Sequence, residues 1–347
     1  MIFWLRRSES VAMEVGKFPP ELLERLLNSA GSDDPRVVLG PRVGEDAAAL
    51  DFGDRLLIAK SDPVTFATER AGWYAVQVCA NDVACTGATP RWFLATLLVP
   101  DSFSIEEAKR LFDDVMESCN TLSVTLIGGH SEVTQGIQRP IVMGTMLGEV
   151  QRDRLITTAG AQEGDSIVVT KGVAIEGTAL LARDRADDLR RAGVEESVIA
   201  RSAEMLNTLG ISVIHDAQTS VQFPVHSMHD ITEGGLFTAL HEVAVASGLG
   251  LAVEEDSVPV LPETNAVCIA LGLHPMGLLA SGAMLVTLHP QYTPSLLHYL
   301  DRAGINAWEI GQMLPSEEGS VLFTRGGDEV PLPKFKRDEL ARYLSEK

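Results

Sequence analysis

The sequence contains no basic tract. Lys and Arg total 28 against 48 Asp and Glu, a formal net charge of −20. Nucleic-acid backbones and anionic membranes are held by clustered cations, so neither is an expected partner. No run of about 18 apolar residues occurs, so no membrane-spanning helix is expected. The apolar start of MIFWLRRSES is too short for a signal-peptide core, and Arg6 and Arg7 follow it rather than precede it. A cytoplasmic location is the expectation. The four cysteines, Cys79, Cys85, Cys119 and Cys268, form no CxxC pair and no zinc spacing. They read as inert core thiols in a reducing compartment. Internal repeats and low-complexity tracts are also missing. So are the GxxxxGK[ST] loop, the GxGxxG fingerprint and the GxSxG elbow. Any ATP site here is of neither the P-loop nor the kinase type.

What is present is a chain of 347 residues, 45% hydrophobic, long enough for two ordinary cores. Pro19-Pro20 start a short helix over 21–28. Strands are expected at 47–50 and 55–60 across the Gly53-Asp54 turn. A helix apolar on nearly every side follows at 71–86, stopping at Gly87 with Pro90 beyond. A strand at 91–99 leads to a helix running to Asn120, opened by a Ser104–Glu107 capping box. Strands follow at 124–127, ending at Gly128-Gly129, and at 141–150. The second half begins with a strand at 166–170. It continues with helices at 177–183, 197–209 and 234–247, then a strand at 249–254. A strand–helix–strand unit over 283–313 completes it. The mixed order argues for two α+β domains rather than one doubly wound sheet. The expected division is an extension at 1–12, domains at 13–156 and 166–326, a turn-rich linker at 157–165 and a tail at 327–347.

Four acidic or glycine-rich patches interrupt the hydrophobic runs of the first half. They are Gly44-Glu45-Asp46-Ala47-Ala48, Ser61-Asp62-Pro63, Asn81-Asp82 and Gly128-Gly129-His130-Ser131-Glu132. Carboxylates at the ends of core elements are costly unless something positive meets them, and little Lys or Arg lies nearby. A divalent cation carrying phosphate oxygens would satisfy them, since Mg²⁺ prefers one or two carboxylates plus phosphates. Asp82 sits on the core helix, with Asn81 as its neighbouring amide; the alternative is a buried acid paired with one Arg or with backbone donors. Asp46 and Asp62 flank the hairpin, whose strand ends could bring them together. In Met228-His229-Asp230-Ile231-Thr232-Glu233-Gly234-Gly235-Leu236, Thr232 or Glu233 could cap the following helix. The N–H groups of its first turn, at Gly234 and Gly235, could hold phosphate. An ordinary capped helix is the competing reading.

The order GEDAAAL, SDPV, CANDVACTGATP, IGGHSEV and HDITEGGL-x₄-HEVA resembles the aminoimidazole-ribotide-synthase-like (PurM-like) superfamily. That group includes thiamine-monophosphate kinase, selenophosphate synthetase and the hydrogenase-maturation protein HypE. HDITEGGL and the following HEVA are most similar to HypE. The resemblance covers about residues 16–324. It implies an N-terminal domain whose strands form a shared barrel across a homodimer, and a C-terminal α+β domain covering a cleft for ATP and Mg²⁺. By resemblance Asp46, Asp62 and Asp82 match the metal-binding acids, and Asn81 the Asn beside the last. Gly128 and Gly129 match the glycine turn, and Glu242 matches a Glu that acts in dehydration.

The departures are equally informative. HypE proteins end in a cysteine whose thiol carries the carbamoyl group, whereas the last cysteine here is Cys268. Self-modification by that route is not expected, and the acceptor is taken to be a small molecule or borne by another protein. His130 stands where the superfamily has an acidic residue, and Glu132 where HypE has a Lys. His130 is accordingly a candidate acid or extra ligand, beside Glu242 as base. The expected activity is ATP- and Mg²⁺-dependent phosphorylation of an amide or carbonyl oxygen. The alternatives are a kinase of the thiamine-monophosphate type and a non-catalytic nucleotide-binding scaffold for a maturation partner. Retention of all three acids weighs against the scaffold.

Overall fold

Two sheets that share no strand organise the chain in the computed structural model, which describes residues 20–29, 34–65 and 69–346. The extension expected at 1–12 lies outside the described residues. The first unit contains helices α1 (Pro20–Ser29), α2 (Ala71–Cys85) and α3 (Ile105–Thr121). Its strands are β1 (Val37–Leu39), β2 (Ala48–Asp51), β3 (Arg55–Val64), β4 (Thr89–Val99), β5 (Thr125–Val133) and β6 (Ile141–Gln151). They are ordered β1-β2-β3-β6-β4-β5. This sheet is open rather than closed into a barrel within one chain.

Helix α2 is apolar on nearly every side because it is covered on nearly every side. Val76, Cys79, Ala80 and Val83 have no exposed surface. The helix packs on β3, β4 and β6, against α3, and against the second unit. Burying each valine side chain contributes roughly 1.5–3 kcal/mol. The expected capping box is present at α3: Glu107 N–H donates to Ser104 Oγ (3.2 Å) and Ser104 N–H to Glu107 Oε2 (2.7 Å). One strand differs from expectation. The Gly128-Gly129 pair does not end β5, which runs on to Val133, parallel to β4. A Cβ on Gly129 would lie 1.8 Å from the Ala95 carbonyl oxygen, and its φ is +147°. Gly129 allows a close strand approach rather than a stop.

The second unit contains α4 (Ile175–Asp184), α5 (Ala186–Arg191), α6 (Glu196–Thr208), α7 (Ile214–Ser220), α8 (Gly235–Ser247), α9 (Pro262–Leu271), α10 (Thr293–Arg302) and α11 (Glu339–Ser345). Its strands are β7 (Ser166–Thr170), β8 (Val225–Ile231), β9 (Gly250–Glu254), β10 (Ala283–Leu288), β11 (Ala307–Leu314), β12 (Ser320–Phe323) and β13 (Glu329–Pro331). Their order is β13-β12-β9-β11-β7-β10-β8, so β8 forms one edge. That edge contacts α2, which makes β8 and α2 the seam between the units. Within the expected tail, β13 pairs with β12. Leu340 and Tyr343 of α11 are buried, and the Tyr343 hydroxyl donates to Asp188 (2.7 Å). No described helix is long and apolar enough to cross a membrane.

Candidate functional site

Three carboxylates converge at the seam. Asp46 precedes β2, Asp82 lies on α2 and Asp230 lies on β8; one ligand atom from each falls within 4.8 Å of the others. The chain folds this way locally for identifiable reasons. Gly44 has φ +87°, and a Cβ there would lie 2.7 Å from the Glu242 carbonyl oxygen, so the loop carrying Asp46 lies directly against α8. Glu45 fastens the same loop from the other side. Its carboxylate accepts N–H groups from Thr158 and Ala159, both at 3.1 Å, at a short 3-10 turn inside the expected linker. The Thr158 hydroxyl donates to Asp46 at 3.4 Å.

The electrostatics are those of a cation site. Asp82 and Asp230 are buried, and the Oδ2 atom of each lacks a hydrogen-bond partner. Burial raises the Asp82 pKa well above the usual carboxylate range; Lys60 opposes this, and Asp230, Asp62 and Asp46 reinforce it. Burial and then Asp46 push Asp230 up to about 7. Like charges this close do not all ionise, so the metal-free cluster holds a proton near neutral pH. Orphaned buried carboxylate oxygens are costly, and a hard divalent cation with oxygen ligands would satisfy both. The donor set fits Mg²⁺.

Two cationic side chains hold the rim. Lys60 of β3 puts its Nζ 3.0 Å from Asp82 and 3.3 Å from Asp62. Burial works against its ammonium, yet Asp82, Asp62 and Asp46 keep its pKa well above 10.5. His229 of β8 donates Nδ1–H to Asp46 (2.8 Å) and Nε2–H to Glu242 on α8 (3.1 Å). Its ring is buried, and the two carboxylates outweigh that burial to hold its pKa well above 6.5. The imidazolium therefore ties Glu242 to the acid cluster.

The other expected site residues lie elsewhere. Asp62 is joined to the cluster by the Lys60 ammonium and is not among the three converging acids. Asn81 uses both ends of its amide on the second unit: it donates to the Ile211 carbonyl (2.7 Å) and accepts from Val213 N–H (2.8 Å). It fastens α2 across the seam. Gly128, Gly129 and His130 are exposed on edge strand β5. The registers Asp62–Gly144, Gly144–Ala95 and Ala95–Gly129 set Gly129 three strands from Asp62, about 14 Å at the usual strand spacing. His130 pairs there with Glu132 at 3.0 Å. Neither Thr232 nor Glu233 caps α8; Gly234 occupies that position, with no side-chain cap. Its N–H donates instead to the Asp338 carboxylate (2.6 Å), and the Thr232 carbonyl accepts from Gly235 and Ala280. A carboxylate of the chain itself therefore sits where phosphate was expected.

Sequence reasoning missed His229, Asp230 and Lys60 as site residues. The available signal was two adjacent ionisable residues, His229-Asp230, in a strand whose flanking Met228 and Ile231 are core residues. The acids of the first unit that they meet, Asp82 and Asp46, lie some 150–180 positions away, outside any local window.

The arrangement agrees with what the chain resembles. Residues 44–150 match the N-terminal domain of AIR synthase related proteins, and residues 162–323 match the C-terminal domain. A putative hydrogenase expression/formation protein of Methanocaldococcus jannaschii is 27% identical over 82% of this chain and 84% of its own length. The carbamoyl dehydratase HypE of Cupriavidus necator is 30% identical over 68% of this chain and 66% of its own. Among solved structures, a HypE–HypF complex superposes with a TM-score of 0.72 at 19% identity, covering 90% of this chain and 99% of that one. With both domain models matched in order, and the two-unit fold shared, the chain belongs to the AIR synthase related (PurM-like) family.

Proposed function

We propose that this chain is an ATP- and Mg²⁺-dependent enzyme that phosphorylates an amide or carbonyl oxygen of a small or protein-borne acceptor, in the manner of HypE. The observation that carries the reading is the convergence of Asp46, Asp82 and Asp230 at the seam, with one unpartnered, buried carboxylate oxygen on each of Asp82 and Asp230. Asp46, Asp82 and Asp230 would hold Mg²⁺, which when bound supplies positive charge opposite the phosphoryl oxygens. In the overall step the acceptor oxygen takes the γ-phosphoryl group and ADP departs. Loss of that oxygen as phosphate then requires a base for the acceptor proton. Glu242 is the proposed base; its Oε2 is oriented by His229, which also orients Asp46. His130, paired with Glu132 on exposed edge strand β5 and set apart from the acid cluster, is assigned no part in this step.

The same reading includes a homodimer. Edge strand β5 leaves Ile127 and Val133 50% and 67% exposed, an apolar edge that a second copy would cover. The HypE–HypF complex supports a maturation protein as partner.

Thermal melting tests the metal-nucleotide reading directly. ATP with Mg²⁺ is expected to raise the melting temperature, and ATP with EDTA to raise it far less. Equal shifts in the two conditions would remove the metal from the site. ADP release across a panel of amide and carbonyl acceptors then identifies the substrate.

The acceptor is expected to come from outside the chain. All four cysteines are buried, and burial raises the Cys268 thiol to about 12, away from the nucleophilic thiolate. Intact-mass measurement after incubation with ATP and a carbamoyl donor is expected to find no adduct on any of them. An ATP-dependent mass gain mapped to a cysteine would return the self-modifying route.

A further inference from the structure

The metal reading leaves Lys60, at the same seam, without a role. Its side chain is 20% exposed, on the β3 face that also carries Leu56, Ile58 and Asp62. The ammonium bridges Asp62 (3.3 Å) and Asp82 (3.0 Å), as a small cation would. Asp82 thereby divides its two oxygens. Oδ1 faces Lys60, Oδ2 has no hydrogen-bond partner, and the carboxylate as a whole also converges with Asp46 and Asp230. The acidic seam has two halves sharing Asp82, and one of them is already occupied by the protein's own charge.

We propose that Lys60 is a built-in monocation that fills the Asp62–Asp82 half of the seam, so that the chain takes a single divalent ion at Asp46, Asp82 and Asp230. This rests on the metal-site reading above and adds the number of ions and the residue that sets it. Four acids concentrated without Lys60 would carry enough charge for two divalent ions. With Lys60 in place, a second ion between Asp62 and Asp82 would have to displace an ammonium tethered to the strand and meet its repulsion at close range. Asp62 then serves to position Lys60 rather than to bind metal. The lysine limits how much positive charge the seam presents to a polyphosphate, and it cannot leave with the product as a second ion can.

The test is Mn²⁺ stoichiometry on the full chain, by equilibrium dialysis with metal analysis and by the loss of free-ion EPR signal. Wild type is expected to bind one Mn²⁺ and K60M two, the second at the vacated Asp62–Asp82 pair. Two ions in wild type, or one in a folded K60M, would overturn the inference while leaving the metal site standing. No Mn²⁺ in wild type would remove the site itself, and the inference with it. Because K60M leaves carboxylates without their counter-charge, D62N provides an arm that does not depend on its folding. With Lys60 as the ion-pair partner of Asp62 among the described residues, D62N is expected to keep one Mn²⁺ and to lose less than tenfold in affinity. A loss of 100-fold would make Asp62 a direct ligand and overturn the assignment.

Discussion

Replacing Asp230 with Asn is expected to lower divalent-ion affinity by about 100-fold or more and to leave the metal-free protein at least as stable as wild type. Residues that merely support metal ligands cost about 10–100-fold when altered, so a direct ligand belongs at or beyond the top of that range. The gain in stability has a separate origin. Asp230 is buried, its Oδ2 has no partner, and burial and then Asp46 raise its pKa to about 7. A carboxyl whose folded pKa lies above its unfolded value of about 3.9 binds more protons folded than unfolded. Its contribution is therefore most favourable at low pH and is lost as pH rises from about 4 to about 7. Asn has nearly the same shape and no such titration, so the advantage of D230N should grow over that interval and level off above it. Mn²⁺ titration together with urea denaturation at pH 5 and pH 8 checks both halves. Unchanged Mn²⁺ affinity with a loss of about 3–5 kcal/mol would instead mark Asp230 as a member of a structural charge network.

Replacing His229 with Phe is expected to destabilise the metal-free protein by about 3–5 kcal/mol, because it strands two carboxylates on a buried imidazolium. Asp46 keeps 9% of its side-chain surface exposed and Glu242 keeps 23%, so the lower end of that range is the better expectation. The sign with pH is fixed by the direction of the shift. His229 holds its proton well above 6.5, so the stabilisation is fully present below about 6.5 and is lost as pH rises through the raised value. The difference between wild type and H229F should accordingly be largest in mildly acidic solution and shrink in alkaline solution. A loss under about 1 kcal/mol would mean the pair behaves as an exposed ion pair. E242Q separates the two arms of the bridge: it removes the proposed base and keeps the His229–Asp46 contact. Little loss of stability is then expected, together with loss of acceptor turnover.

Much of the fold was legible because its signals are local. The Ser104–Glu107 capping box spans four residues and is formed as expected. The apolar pattern of α2 announced a helix covered on nearly every side, and the mixed order of strands and helices announced two α+β units. Asp46 and Asp82 were legible as acids out of place among core residues. Local signals also misled where one residue type serves two purposes. Gly128-Gly129 reads as a turn in any short window, and only the Ala95 carbonyl lying against Gly129 makes it the interior of a strand. Gly234-Gly235 reads as an open helix start, and only the docking of the tail brings Asp338 onto its N–H.

By itself, then, the sequence determined the two units, the core helix between them and the presence of acids within apolar runs, because helix period, capping and an acid in an apolar run are set within about a turn of the chain. Which acids meet was decided by tertiary structure alone. Asp230 joins Asp46 and Asp82 because the edge strand β8 lies against α2. Asp62 is held apart because Lys60 stands between it and the shared carboxylate. Asn81, placed in sequence beside Asp82, is turned to the backbone of residues 211 and 213. Charges interact through a few ångströms of space, and the packing of two separately folded sheets determines which of them share those ångströms.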